Sequence, residues 1–143
     1  MTISRTFENK GSYLLVTSKG EFTLKSACDG FLEGLNAADS YHVSKVLVDC
    51  LQLSGKPSTV DLYSYGRFMA DELSKRDRRG PSGKLRLAYV AAEPLADPGR
   101  LRTLVATNRG VVTETFDNVD AALKWLAVEE SGNESDATSK ARG

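Results

Sequence analysis

The chain has one histidine and two cysteines in 143 residues, and these scarcities exclude more than the abundant residues reveal. With His42 as the only imidazole, a His-based metal site or a Ser/His/Asp triad would have to be built around that single residue in a cleft. It lies instead in the link before a predicted strand, where a solvated histidine is expected. Cys28 and Cys50 are too few for a disulfide framework, and no CxxC pair is present. Both are expected to be buried, reduced thiols. Neither sign of charge is in excess: 19 Lys+Arg balance 19 Asp+Glu, with a pI near 6.6. No global pull towards nucleic acid or an anionic membrane follows from that balance. No apolar run approaches the ~18–20 residues of a membrane span. The opening MTISRTFENK alternates like a strand and lacks a signal-peptide core. The phosphate-loop pattern G-x-x-x-x-G-K-[ST] is absent as well. The expectation is a soluble, cytoplasmic protein with no cofactor and no metal.

The length suits one domain. A chain of this size buries roughly 68–70% of its unfolded surface, enough to fold without a disulfide or metal. Ile3, Arg5 and Phe7 alternate with polar residues, and Tyr13 to Val16 resumes extended structure after Gly11, which predicts two paired strands. Thr23 offers an N-cap to a helix with Leu24, Cys28, Phe31 and Leu35 on one face. Gly30 and Gly34 weaken that helix by about 1 kcal/mol each relative to alanine, and are expected to let it lie close to a sheet. The helix should fade near Asp39 and Ser40. A strand is predicted over 43–48, then a loop over 49–57, then a helix from Ser58 with Leu62, Tyr65, Met69 and Leu73 on one face. Leu85, Leu87, Tyr89 and Ala91 mark the next strand. Asp97 and Pro98 start a short helix over 97–108 that Gly110 stops. VVTETF is the last strand, and Asn118 caps a final helix with Val119, Leu123 and Leu126 inside. The tail, 129–143, is too polar to repay ordering and is expected to be disordered, leaving a folded domain over 1–128. The order β-β-α-β-α-β-α-β-α predicts an α/β fold: one mixed five-stranded sheet, its last three strands parallel, with about four flanking helices.

The phrases LVDCLQLSGKPSTVDLYSYGRFMADEL, LRLAYVAAEPLADPGR and NRGVVTETFDNVDAALKWL, in this order of elements, resemble the SpoIIAA-like family. This is a branch of the STAS domains (sulfate transporter and anti-sigma-factor antagonist), whose members are often called STAS/SEC14 domain-containing proteins. The resemblance covers roughly residues 3–128 and is most specific in the ending, Phe116 followed by the helix closing in Ala122-Leu123-Lys124-Trp125-Leu126. It implies a bacterial cytosolic fold without established enzymatic activity. In the antagonists of anti-sigma factors a serine opening the helix after the third strand is phosphorylated, in a motif close to D-S-S-G-L-G. Counted from Asp49, its two serine positions fall on Ser58 and Thr59, which the resemblance makes candidate phosphoacceptors. Pro57 stands where the motif has aspartate, and Val60 where it has glycine.

Read from the residues alone, Ser58 with Asp61 three positions on fits a capping box. Phosphate there would meet the positive end of the helix dipole. Ser54, Gly55 and Lys56 form a small anion-binding candidate that also fits a solvated turn. Tyr65 is in phase with the core, whereas Tyr63 points elsewhere and suits a partner or a dimer surface. The basic stretch Lys75, Arg76, Arg78, Arg79, Lys84 and Arg86 suits a solvated helix C-terminus, and it lacks the interleaved aromatics that stack on bases. Asp49, Glu93, Asp97 and Asp117 fall at or after strand ends, where paired carboxylates could do acid–base work, but no second catalytic element accompanies them. A non-enzymatic module is therefore expected, docking a partner protein through the loop after the third strand and the following helix. Asp49, Leu53, Ser54, Gly55, Lys56, Tyr63 and Arg67 would form its surface, with a homodimer possible. The alternative is a carrier or sensor of a small apolar or lipid-like ligand, with a cavity between sheet and helices lined by residues such as Leu53, Tyr63, Phe68 and Leu95.

Overall fold

The computed structural model describes residues 4–77, 79–92 and 111–131. The expected helix over 97–108, Glu93, Leu95, Asp97 and the tail from 132 onward lie outside the described residues. Strands β1 (Ser4–Asn9) and β2 (Leu14–Glu21) come first. Helix α1 (Leu24–Tyr41), strand β3 (Lys45–Ser54), helix α2 (Thr59–Ser74) and a short 3-10 turn (Ser82–Lys84) follow. Strands β4 (Arg86–Val90) and β5 (Val112–Phe116) and helix α3 (Val119–Ser131) complete the order. The five strands form one sheet in sequential order. β1 and β2 pair antiparallel, and β2 through β5 pair parallel. The parallel run thus begins one strand earlier than the last three that the sequence predicts.

Period-two patterning divides the core between the two faces of the sheet. Leu14, Val16, Val46, Leu87 and Tyr89 pack with Phe31, Leu35 and Ala38 of α1 and Tyr65, Met69 and Ala70 of α2. Leu47, Ala88 and Val90 turn to the other face and meet Ala122 and Leu126 of α3. β4 is buried from Leu87 to Val90, as a central parallel strand covered on both faces must be.

Each helix begins where its cap was legible. Thr23 Oγ1 accepts the Ser26 N–H at 3.2 Å, and Asn118 Oδ1 accepts the Ala121 N–H at 2.9 Å. α1 ends close to the expected Asp39 and Ser40. It continues to Tyr41 and stops at His42, whose φ of 57° is left-handed and whose N–H bonds back into the last turn. The histidine is exposed. α3 runs through Ser131, past the boundary expected at 128. Arg76 ties the end of α2 to α1 through Asp39 Oδ2 at 3.1 Å and Asn36 Oδ1 at 3.3 Å. Lys75 and Arg79 pair with Glu72 and Asp77, and the Arg86 guanidinium lies 5.6 Å from the centre of the Trp125 ring.

The strand predicted over 43–48 with a loop from Asp49 is corrected by the structure: β3 continues to Ser54. Its second half pairs with β2, Lys19 to Gln52, Gly20 to Leu53 and Glu21 to Ser54, after a register shift between Thr17 and Lys19. β4 stops pairing at Asp49. The overhanging part of β3 has one neighbour instead of two and stays more exposed, so its sequence reads like a loop.

Candidate functional site

The true loop between β3 and α2 is short. Ser54 closes the strand, its Oγ donating to the Gly20 carbonyl at 3.3 Å and its carbonyl accepting the Phe22 N–H at 2.9 Å. Gly55 turns the chain with a φ of +110°, which glycine adopts without strain, and an added Cβ there would touch Phe22 at 3.4 Å. Lys56 is exposed and Pro57 half-buried. Ser58 then opens α2 with a reciprocal capping box: its Oγ accepts the Asp61 N–H at 3.0 Å, and the Asp61 carboxylate accepts the Ser58 N–H at 3.2 Å. Ser54 and Lys56 are therefore presented separately, Ser54 tied to β2 and Lys56 out in solvent. Asp49 sits half-buried within β3, its Oδ1 accepting the Leu51 N–H at 3.0 Å.

The outer face of α2 carries the more informative group. Val60 is 70% exposed and Tyr63 42% exposed. With exposed Arg67 they follow the i, i+3, i+7 spacing of one helical face. Leu51, on the overhang of β3, is 46% exposed. Three of the five exposed large hydrophobic side chains among the described residues thus fall between positions 51 and 63. Tyr63 was legible as pointing away from the core. Val60 and Leu51 were not, because a single apolar residue outside the main periodicity carries no signal of its own.

The inner face of α2 borders a cavity of about 90 Å³ between the sheet and helices α1 and α2. Its floor crosses four strands, with Arg5 on β1, Val16 and Ser18 on β2, Val48 and Cys50 on β3, and Tyr89 on β4; Gly34 and Phe31 of α1 and Leu62 and Tyr65 of α2 form its roof. Leu53 lines it as expected, Tyr63 and Phe68 do not, and Leu95 lies outside the described residues. Phe68 instead packs edge-on to Phe31, with ring centres 6.4 Å apart. The Tyr65 and Tyr89 hydroxyls are hydrogen-bonded to each other, and Tyr89 Oη lies 3.6 Å from Met69 Sδ. Burial pushes the Cys28 thiol of α1 up from its ordinary pKa, with Asp29 adding in the same direction.

The glycines of α1 explain why this space exists. A Cβ at Gly34 would meet nothing within 4 Å, so the missing side chain leaves an unfilled volume instead of a closer helix–sheet contact. A Cβ at Gly30 would fall 2.9 Å from the Arg5 Cζ and Nη1, so that glycine makes room for a guanidinium lying against the helix. The sequence led to the expectation that Gly30 and Gly34 bring the helix close to the sheet; the structure shows open space at Gly34 and room for Arg5 at Gly30. No group of three or more metal-ligating side chains gathers among the described residues, and none of their helices is long and apolar enough to cross a membrane.

No protein-family model and no curated protein matches this chain. Among solved structures it is similar to an anti-sigma factor antagonist from Mycobacterium paratuberculosis, with 15% identity, 88% of this chain and 95% of that chain covered, and a TM-score of 0.58. It is also similar to a protein of the DUF3478 family with a SpoIIAA-like fold from Shewanella loihica PV-4, with 18% identity, 87% and 93% coverage, and a TM-score of 0.48. At these identities the likeness is one of fold.

Proposed function

We propose that this chain, which has the SpoIIAA-like (STAS) fold, is a non-enzymatic regulatory module that docks a partner protein on the outer face of α2 and the adjoining end of β3. The observation that carries the reading is the clustering of exposed apolar surface at Val60, Tyr63 and Leu51, beside the exposed residues Arg67, Ser58 and Thr59. Aromatic and arginine side chains are the commonest anchors of protein interfaces, and exposed apolar groups set close together mark interaction sites. The fold neighbour that is an anti-sigma factor antagonist makes a protein partner the natural class. Phosphate on Ser58 or Thr59 would place negative charge at this surface and at the favourable end of the helix dipole. In a pull-down from native extract, Tyr63→Asp is expected to lose partners that the wild type retains, while Arg79→Ala, beyond the far end of α2, keeps them. Loss with Arg79→Ala but not with Tyr63→Asp places the surface at the basic stretch instead.

The cavity favours a second reading, a sensor or carrier of a small apolar ligand. Native mass spectrometry of freshly purified protein tests it: added mass released by organic solvent supports a ligand, and clean apo mass together with no uptake of small apolar compounds refutes one.

A further inference from the structure

The cavity is apolar over most of its wall, but its polar groups are distributed unevenly. At the β4 end the Tyr65 and Tyr89 hydroxyls are engaged with each other. At the β1 end Arg5 and Ser18 are direct cross-strand partners, and both line the cavity. Ser18 is 4% exposed, and the Arg5 side chain is 11% exposed. Arg5 Nε donates to Glu33 Oε1 at 3.0 Å and Nη1 to the Ser26 carbonyl at 3.1 Å. Nη2 holds no partner among the described residues. A guanidinium carries five N–H donors, so these bonds leave capacity for one more acceptor. Glu33, its ion-pair partner, is half exposed and shares its charge with solvent, so it competes weakly for the cation.

Resting on the ligand reading above, we propose that this cavity binds a short-chain monocarboxylate, its carboxylate held by Arg5 with the Ser18 hydroxyl, its alkyl tail between Gly34 and the apolar floor. A carboxylate is the group an arginine fork fits best. The engaged tyrosine pair offers no second cation, which disfavours a dicarboxylate. Size limits the tail: an apolar cavity of ~150 Å³ holds benzene, so about 90 Å³ holds about four carbons in proportion.

The test is an NMR titration of the full chain with sodium pentanoate, 1-pentanol and n-pentylamine, compounds of five carbons and three head groups. Pentanoate is expected to shift the amides of Ser18, Gly30, Gly34 and Tyr89 with a Kd on the order of 1 mM, a range open to a ligand of so few atoms, and to bind more tightly than the other two. Arg5→Met, which keeps most of the side-chain volume, is expected to weaken pentanoate about tenfold, the usual worth of a charged hydrogen bond, and to leave pentanol nearly unchanged. Gly34→Leu, which fills the space, is expected to abolish binding of both. If pentanol matches pentanoate in the wild type, the ligand reading stands and the carboxylate assignment falls. Should none of the three perturb the cavity amides, both fall together. Pentanoate binding that survives Gly34→Leu also overturns the proposal, whether or not Arg5→Met folds.

Discussion

Replacing each glycine of α1 by alanine in turn separates two effects that the sequence merges. Alanine gains about 0.8–1 kcal/mol over glycine in a helix interior. At Gly34 the new methyl meets nothing within 4 Å and enters partly buried space, adding up to ~0.5 kcal/mol of apolar burial, a fraction of a fully buried methylene. The expected gain is about 1–1.5 kcal/mol, which for a domain of this size raises Tm by about 3–6 °C. At Gly30 the propensity gain is the same, but the methyl would stand 2.9 Å from the Arg5 guanidinium. The side chain must swing aside and release the Ser26 carbonyl and Glu33. The first bond is charge-assisted and partly buried, worth about 1.5–3 kcal/mol. The second is a half-exposed ion pair worth under ~1 kcal/mol. Gly30→Ala should therefore be neutral or destabilising by about 1–2 kcal/mol. Thermal melts followed by circular dichroism, with urea titrations to confirm an unchanged m-value, read both variants. In an Arg5→Met background the penalty disappears and Gly30→Ala should stabilise by about 1 kcal/mol, a coupling that a double-mutant cycle isolates. Equal stabilisation by both alanines in the wild-type background refutes the reasoning.

The capping box and the two thiols give further expectations. Ser58→Ala removes the oxygen that accepts the Asp61 N–H and should cost about 1 kcal/mol in urea unfolding, whereas Ser58→Asp caps equally well and should change stability by well under ~1 kcal/mol. A loss of equal size in both variants would show that the cap contributes little. Cys50 is buried, and burial followed by the Asp29 charge raises the pKa of Cys28. Both should react with a thiol reagent at pH 7 far more slowly than in denaturant. Cys28 should accelerate as pH rises, because its thiolate forms at a higher pH than that of an ordinary cysteine. Native labelling of both at the denatured rate contradicts this.

Most of the fold was legible because local signals agree with the tertiary arrangement. Thr23, Ser58 and Asn118 each cap the helix they were expected to open. The apolar alternation from Leu85 to Ala91 belongs to a strand buried on both faces. The failures have a common physical origin. The second half of β3 reads as a loop because burial, not backbone pairing, writes the apolar pattern, and that half pairs with β2 alone. The candidate site was legible only in part. The exposure of Tyr63 was legible because it breaks the phase of α2. Arg5 shares the alternation of Ile3 and Phe7, and it turns inward beside Ser18. The alternation with Ser4 and Thr6 gave its face, but no sequence pattern showed that a cavity lies there.

The proposed docking surface and the cavity lie on the two sides of one helix. Leu62 and Tyr65 roof the cavity, while Val60 and Tyr63 face outward, so any influence of a ligand on a partner must pass through α2, a rod roughly 10–12 Å thick. A well-packed interior would hold that helix in one place. Unfilled volume beneath Gly34 and Leu62 removes contacts that would otherwise fix it. The ends of α2 are constrained differently from its middle: the capping box closes its first turn, and Arg76 pins its last to Asn36 and Asp39 of α1. Tyr63 and Leu62 sit back to back between these two constraints. A small occupant can bias docking only to the extent that it binds two positions of that segment with different affinity. By the same linkage, a partner gripping Tyr63 changes ligand affinity by the same factor.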